Sequence, residues 1–344
     1  MLRYIMFVFT AVTAATLTGC ATTTDNGDAT AANTLAEQKQ QVSSGVQPDW
    51  LSGESQEYPR LKYLTARGEG PDADTAIEQA RQKLTGLFDV TAGGSDASFT
   101  PRSEVLPDLT QELAELQTDI KVATVWRDSE TAQYHALATV PRKPAETYLT
   151  RKVNEIDIAT GEILDQAKAA KDRFNKLSLH AQAWHMQSAR SQLQAALIKA
   201  DLTGQGVAPR WKPQKLQTDT EKKLKRLKIM PVAHEKYPLI NSLSDGLGTV
   251  GLSSAKESNA EYMLQATLTI SVSLPKSGMT QGQGKLGVTL VDKATASTVG
   301  TRHWEIAVDA LDAIAAERRV LEKADFFIKK DMRDFLLDIA VQQP

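Results

Sequence analysis

The chain of 344 residues has a single cysteine, Cys20, and five histidines. Beyond that one sulfur there is nothing with which to build a disulfide, a thiolate metal site or a cysteine nucleophile. Aromatic residues make up only 6 %, which leaves little for stacking platforms. The net charge is −2, so no overall basic bias points to nucleic acid. Long apolar runs are missing too. The segment Ile5–Thr16 is shorter than the roughly 20 residues of a membrane-spanning helix, and no later stretch approaches that length.

Catalytic patterns are equally scarce. No Gly-x-Ser-x-Gly occurs, and His135, His180, His185, His234 and His303 assemble into no triad. His180 and His185 are five apart and do not share a helix face as an i, i+4 zinc pair would. His135 reads as a solvent-facing strand residue. "GQGKLG" (282–287) lacks the first glycine of a phosphate loop, where Met279 stands, and the Ser/Thr after its lysine, where Leu286 stands. It reads as a glycine-rich strand entry. In "GEGPDAD" (68–74) a helix start is flanked by Glu69, Asp72 and Asp74, which repel an anion and favour helix capping. The remaining carboxylates lie beside basic partners, as in "ERRVLEKADFFIKKDMRD". Neither an enzyme nor a cofactor or metal site is expected.

What is present begins at the amino terminus. Arg3 precedes the apolar run Ile5–Thr16, and small residues lead into Cys20. A basic start, a short apolar core and a small-residue site describe a secretory signal peptide over 1–19. Leu17-Thr18-Gly19-Cys20 resembles the bacterial lipobox. The resemblance implies cleavage between Gly19 and Cys20, a diacylglyceryl group on the Cys20 sulfur and an acylated new amino group. The other reading is an ordinary leader followed by an incidental thiol. One acyl chain binds a membrane only marginally, whereas two or three at one residue hold it firmly. Ala21 lacks the aspartate that retains such proteins at the inner membrane, which implies the outer membrane.

Residues 20–47 are Thr-, Ala-, Asn- and Ser-rich with few large apolar side chains, and read as a disordered, flexible tether. About 27 such residues reach roughly 30 Å. The body then reads as an α+β fold of two small sheet-plus-helix domains, 48–203 and 222–344, joined by a linker at 204–221. "KYLTARGEG" (62–70) predicts a strand and glycine turn, followed by a helix capped by Asp72 or Asp74 with Ala73, Ala76, Ile77, Ala80, Leu84 and Leu87 on one face. "FDVTA" (88–92) reads as a strand and 106–117 as a short helix. "DIKVATVWRD" and "AQYHALATVP" predict a hairpin around "DSET", with Val122, Thr124 and Trp126 on one face.

Leu149, Val153, Ile156, Thr160, Ile163, Ala167, Ala170, Phe174 and Leu177 keep a 4, 3, 4, 3 spacing. Gly161 is a weak point in that stripe. "NKLS" (175–178) then breaks it, and Ala183, Met186, Leu193, Leu197 and Ala200 form a second stripe. An antiparallel helical hairpin over 144–203 hides both seams; two separate helices on the sheet are the alternative. The second domain predicts strands at 261–274, 284–294 and 300–310 before a long helix at 311–340. The core face of that helix is Ile314, Val320, Leu321, Ala324, Ile328, Met332, Phe335 and Ile339.

"PDW" (48–50), "KYLTARGEGPDADTAIEQARQKL" (62–84) and "VATVWRDSETAQYHALATVPR" (122–142) resemble the LPP-twenty family of bacterial surface lipoproteins and the related amino-terminal domain of the flagellar protein FlgT. Arg67 and the long hairpin depart from that pattern. In element order only, the second domain is similar to those of TolB, LpoB and FlgT. The resemblance implies a non-catalytic structural or adapter lipoprotein at the periplasmic face of the outer membrane. It would be held by lipid on Cys20 and bind periplasmic or outer-membrane proteins, with peptidoglycan a further candidate partner. A flagellar assembly factor and a lipid-anchored ligand carrier or enzyme are the alternatives. Finally, Arg210, Lys212, Lys215, Lys222, Lys223, Lys225, Arg226 and Lys228 face only Asp219 and Glu221 within 210–228. That run reads either as a solvated linker or as a contact for anionic lipid or acidic glycan.

Overall fold

A computed structural model describes residues 42–88, 119–232, 237, 239–274 and 278–342. The leader, Gly19, Cys20, the expected helix at 106–117, His234 and all but Phe88 of the expected strand at 88–92 lie outside the described residues. The architecture is α+β, as expected: two four-stranded sheets with helices between and beside them. Both sheets and these helices belong to one compact unit.

The first sheet has the order β1-β3-β4-β2. Strand β1 (Val42–Ser44) pairs parallel with β3 (Lys121–Arg127), while β4 (Tyr134–Pro141) pairs antiparallel with β3 and with β2 (Tyr63–Gly70). β1 falls inside the stretch read as tether. Its three side chains are exposed, so backbone pairing and the Ser43 hydroxyl on the Val125 carbonyl at 3.3 Å are what hold it, and composition carries no trace of either. A short helix, α1 (Asp49–Ser52), buries Trp50 against Trp126 and Leu137 on one face of this sheet. Helix α2 (Ala73–Thr85) covers the other face with Ala76, Ala80 and Leu84. Asp72 caps α2, accepting from the Thr75 N–H at 2.7 Å.

Two local expectations are corrected here. The glycine turn at 68–70 is part of β2. A methyl group on Gly68 would lie 2.0 Å from the Ala76 carbonyl oxygen and 2.4 Å from the Ala80 nitrogen, so Gly68 lets α2 approach the strand closely. The alternation Val122–Thr124–Trp126 is broken by a bulge between Val122 and Thr124. Val122 consequently packs on the α2 side with Val125, and Trp126 turns to the Trp50 side.

The hairpin forms as α3 (Arg142–Ala169) and α4 (Arg173–Ala200). Its turn lies at 170–172 rather than at "NKLS". Asp172 caps α4, accepting from the Asn175 N–H at 2.7 Å, so Phe174 and Leu177 belong to the second helix. The hairpin divides its buried residues between two cores. Leu149, Val153, Leu193 and Leu197 pack beneath the first sheet, whereas Leu164, Phe174, Leu177 and Trp184 join the core of the second. The stretch read as a linker contains most of α5 (Pro213–Leu224), which buries Leu216, Thr220 and Leu224. Trp211, just before it, has its ring 3.7 Å from where a methyl group on Gly161 would stand, so the weak point of the stripe lies beneath that ring.

The second sheet runs β5-β6-β7-β8: β5 (Ile229–Val232), β6 (Tyr262–Ser273), β7 (Thr280–Asp292) and β8 (Thr298–Ala310). Helices α6 (Ile240–Thr249) and α7 (Ala313–Val341) pack on it. β7 starts four residues earlier than the expected 284 because Gly282 and Gly284 are strand residues. A methyl group on Gly284 would meet Val320 of α7 at 2.5 Å. Of the expected α7 core face, Val320, Ala324, Ile328, Met332, Phe335 and Ile339 are buried and Leu321 is half-buried, but Ile314 is 83 % exposed.

Candidate functional site

A cavity of about 640 Å³ opens at one end of the first sheet, lined by Arg67, Glu69, Lys83, Trp126, Asp128, Glu130 and His135, among others. Its charges are mixed, and two of them, Arg67 and Asp128, are already engaged. The Arg67 guanidinium donates to the Trp50 and Leu51 carbonyls at 3.0 and 2.7 Å, tying α1 to β2. Asp128 accepts from the Thr131 hydroxyl and the Glu130 N–H, and these bonds hold its carboxyl below the usual carboxylate range. His135 is half-buried with its ring 5.6 Å from that of Trp126, rather than a free solvent-facing residue. Ser129 also lines the cavity, and no hydrogen bond joins its hydroxyl to His135. The cavity's charged and polar lining can hold a polar ligand electrostatically.

The other histidines are no better placed. His185 is buried, its Nε2 without a hydrogen-bond partner, and burial pushes the imidazole down to about 4. It is therefore neutral near pH 7 and acts as a packing residue. His180 is shifted down by burial and by the nearby Lys223. His303 is exposed on β8. Among the described residues no cluster of His, Cys, Asp and Glu could hold a metal ion, and no helix is long and apolar enough to cross a membrane.

Two surface features carry more. The first is an apolar tip on the second sheet. The register pairs Ser273 with Gln281 and Thr280 with Ala310, so the end of β6, the start of β7, the end of β8 and the first turn of α7 meet. There Leu274, Leu311 and Ile314 are 80–85 % exposed and Met279 is 44 % exposed. Beside them lies a groove of about 430 Å³ between β8 and α7, lined by Ala307, Val308, Phe326 and the charged Asp309, Arg319, Glu322 and Lys323. Lys323 donates to the Ala307 carbonyl at 2.8 Å and Arg319 to that of Asp309, which blunts the β8 edge against strand addition. Sequence reading placed Ile314 in the core, because helical spacing does not show where the sheet beneath ends.

The second feature is basic. Arg210, Lys212, Lys215, Lys222, Lys225 and Arg226 are all exposed, on and around α5. α5 ends where β6 begins: the Glu261 and Tyr262 N–H groups donate to the Lys228 carbonyl at 2.9 and 3.1 Å. The α3–α4 turn docks at the same place, through the Tyr262 hydroxyl on Asp172 at 3.0 Å and Arg173 on Glu261 at 3.3 Å. The tip and the basic end thus lie at opposite ends of β6, roughly 36 Å apart along the strand.

The chain matches no family model, and no curated protein matches it. Solved structures similar to it include a secreted protein of Helicobacter pylori at 9 % identity, covering 81 % of this chain and 97 % of that one with a TM-score of 0.39. A minor lipoprotein of Acinetobacter baumannii is similar at 16 % identity, over 33 % of this chain and 91 % of that one, TM-score 0.25. A Xanthomonas campestris protein is similar at 15 % identity, over 33 % of this chain and 75 % of that one, TM-score 0.25. Values this low assign neither a family nor a function.

Proposed function

We propose that the chain is a non-catalytic adapter lipoprotein of the bacterial envelope. Acyl chains on Cys20 hold it at the periplasmic face of the outer membrane, and the apolar tip of the second sheet receives a protein partner. The anchor rests on Leu17-Thr18-Gly19-Cys20 at the end of the leader. The tip is the observation that carries the adapter role. Four large apolar side chains exposed together, beside a groove rimmed by charges of both signs, have the make-up of a protein interface: an apolar centre and a polar rim. A lipid-facing surface would show cations without the matching carboxylates Asp309 and Glu322.

A photoreactive residue at Leu311 is expected to cross-link one envelope protein in intact cells. Leu311→Glu together with Ile314→Glu is expected to abolish recovery of that same protein by a probe placed at Met279. Both replaced side chains are solvent-exposed, so the unfolding free energy should move by no more than about 0.5 kcal/mol. Cross-linking at the tip no stronger than at the exposed Thr269 would contradict the reading. The polar cavity of the first sheet favours one second reading, a lipid-anchored carrier of a small polar ligand. A ligand that co-purifies with the chain and is lost on Lys83→Gln would support it.

A further inference from the structure

We infer that the basic end of the second sheet is a docking surface for anionic lipid headgroups, so that the body lies with α5 against the leaflet and the apolar tip away from it. The inference rests on the proposed anchor only in that acyl chains on Cys20 bring the body within reach of a membrane; the surface itself stands on its own geometry. Residues 210–228 carry eight cations and two carboxylates, a net +6 in a chain of net −2, which leaves −8 on all the other residues. Folding then sorts these cations outward. α5 buries Leu216, Thr220 and Leu224, one residue every four, while Lys212, Lys215, Lys222 and Arg226 recur at 3, 7 and 4 and stay exposed, with Lys225 beside them.

The two carboxylates are spoken for. Asp219 lies 3.6 Å from Lys222, and Glu221 pairs with Arg333 of α7 at 3.0 Å. Among the described residues no ion pair engages Lys212, Lys215, Lys225 or Arg226. Arg173, paired with Glu261 at 3.3 Å, also reaches the Arg226 carbonyl at 3.4 Å, and Lys171 in the adjoining turn is exposed.

The chemistry of this face fits a lipid surface better than a protein. Its net charge is strongly positive, with Asp165, Asp219 and Glu221 set among the cations, and among the described residues from 203 to 239 no large hydrophobic side chain is exposed. Trp211 is half-buried beside Gly161, with the Arg210 guanidinium over its ring. A protein interface needs an apolar centre, whereas a plane of phosphates needs only spread positive charge. Adsorption without insertion is expected, and such attraction is screened within about 10 Å at 0.1 M salt.

The test uses the mature chain with Cys20→Ser, so that acyl chains play no part. It is expected to co-sediment with phosphatidylcholine vesicles containing about 30 mol % phosphatidylglycerol, and not with phosphatidylcholine alone. Raising salt from roughly 0.05 to 0.5 M should release it. Replacing Lys212, Lys215, Lys222 and Lys225 by Gln is expected to lower the partition coefficient at least tenfold with an unchanged thermal midpoint. Leu311→Glu with Ile314→Glu, at the other end, should leave it unaltered. Equal sedimentation of the unreplaced and four-Gln chains would overturn the inference, as would binding that ignores phosphatidylglycerol. Retention on immobilised polyglutamate without sedimentation on these vesicles would assign the face to an acidic polypeptide instead. Since Cys20 is already replaced, each of these failures leaves the anchor untouched.

Discussion

Arg190→Met is expected to destabilise the protein by about 3–5 kcal/mol, the usual cost of stripping one partner from a buried ion pair. Arg190 on α4 and Asp157 on α3 are both buried and meet at 2.9 and 3.0 Å. The same guanidinium donates to the Val207 and Ala208 carbonyls at 3.1 and 3.2 Å, which pins the chain leaving α4 onto the hairpin. Gln187 donates to Asp157 and to the Thr160 hydroxyl, each at 2.9 Å, and the Trp211 indole donates to the Asp157 carbonyl at 3.3 Å. Methionine would leave the Asp157 carboxylate buried without its cation and two carbonyls without donors.

The double replacement Asp157→Leu with Arg190→Met separates charge from packing. It removes the stranded charge but still orphans Val207 and Ala208, so it should cost about 1–3 kcal/mol, less than either single change. Urea unfolding followed by circular dichroism measures all three. Single and double costs that simply add would show that the two residues act independently.

Gly68→Ala is expected to cost about 3 kcal/mol or more, at the upper end of overpacking penalties. The added methyl would sit 2.0 Å from the Ala76 oxygen and 2.4 Å from the Ala80 nitrogen, both backbone atoms of α2 that no rotamer change can move. The helix must lift off β2, which opens the layer containing Ala76, Ala80, Leu84 and Phe88. Gly248→Ala is the contrasting case. Gly248 lies in α6, and nothing stands within 4 Å of its would-be methyl group. Alanine there should stabilise by about 0.4–1 kcal/mol through the unfolded chain's lost freedom. Two Gly→Ala changes of opposite sign, read from the same unfolding curves, test whether the close approach at Gly68 is real.

Much of this body was legible in the residues because local chemistry and tertiary packing agree. Asp72 before Ala76, Ala80 and Leu84 marks α2 by cap and stripe together. The strands of the second sheet, the long α7 and the paired helices also follow their periodicity. The errors have physical causes. The 4, 3 spacing runs on through Phe174 and Leu177 because both helices of the hairpin bury residues in register, so spacing alone hid the turn; the capping Asp172 was the signal that marked it. α5 was hidden by its flanking prolines and its lysines, though Leu216, Thr220 and Leu224 recur every fourth residue.

The buried ion pair and the surface features were the least legible. Asp157 and Arg190 are 33 residues apart and look like any solvated helix charges until the hairpin closes. Leu274, Leu311 and Ile314 come together only through the β6–β7–β8 register, and an apolar residue carries no local sign of where the sheet ends. The basic run was visible as composition, but its sorting onto the outer side of α5 required the helix.

The central proposal is that lipid on Cys20 holds the body at the envelope, and mass spectrometry of the amino-terminal peptide tests it most directly. The account predicts a mature chain beginning at Cys20 that carries a diacylglyceryl group and an N-acyl chain, with Cys20→Ser moving the protein into the soluble fraction at high salt. A mature amino terminus elsewhere, or an unmodified Cys20 thiol on protein that still sediments with membranes, would contradict it.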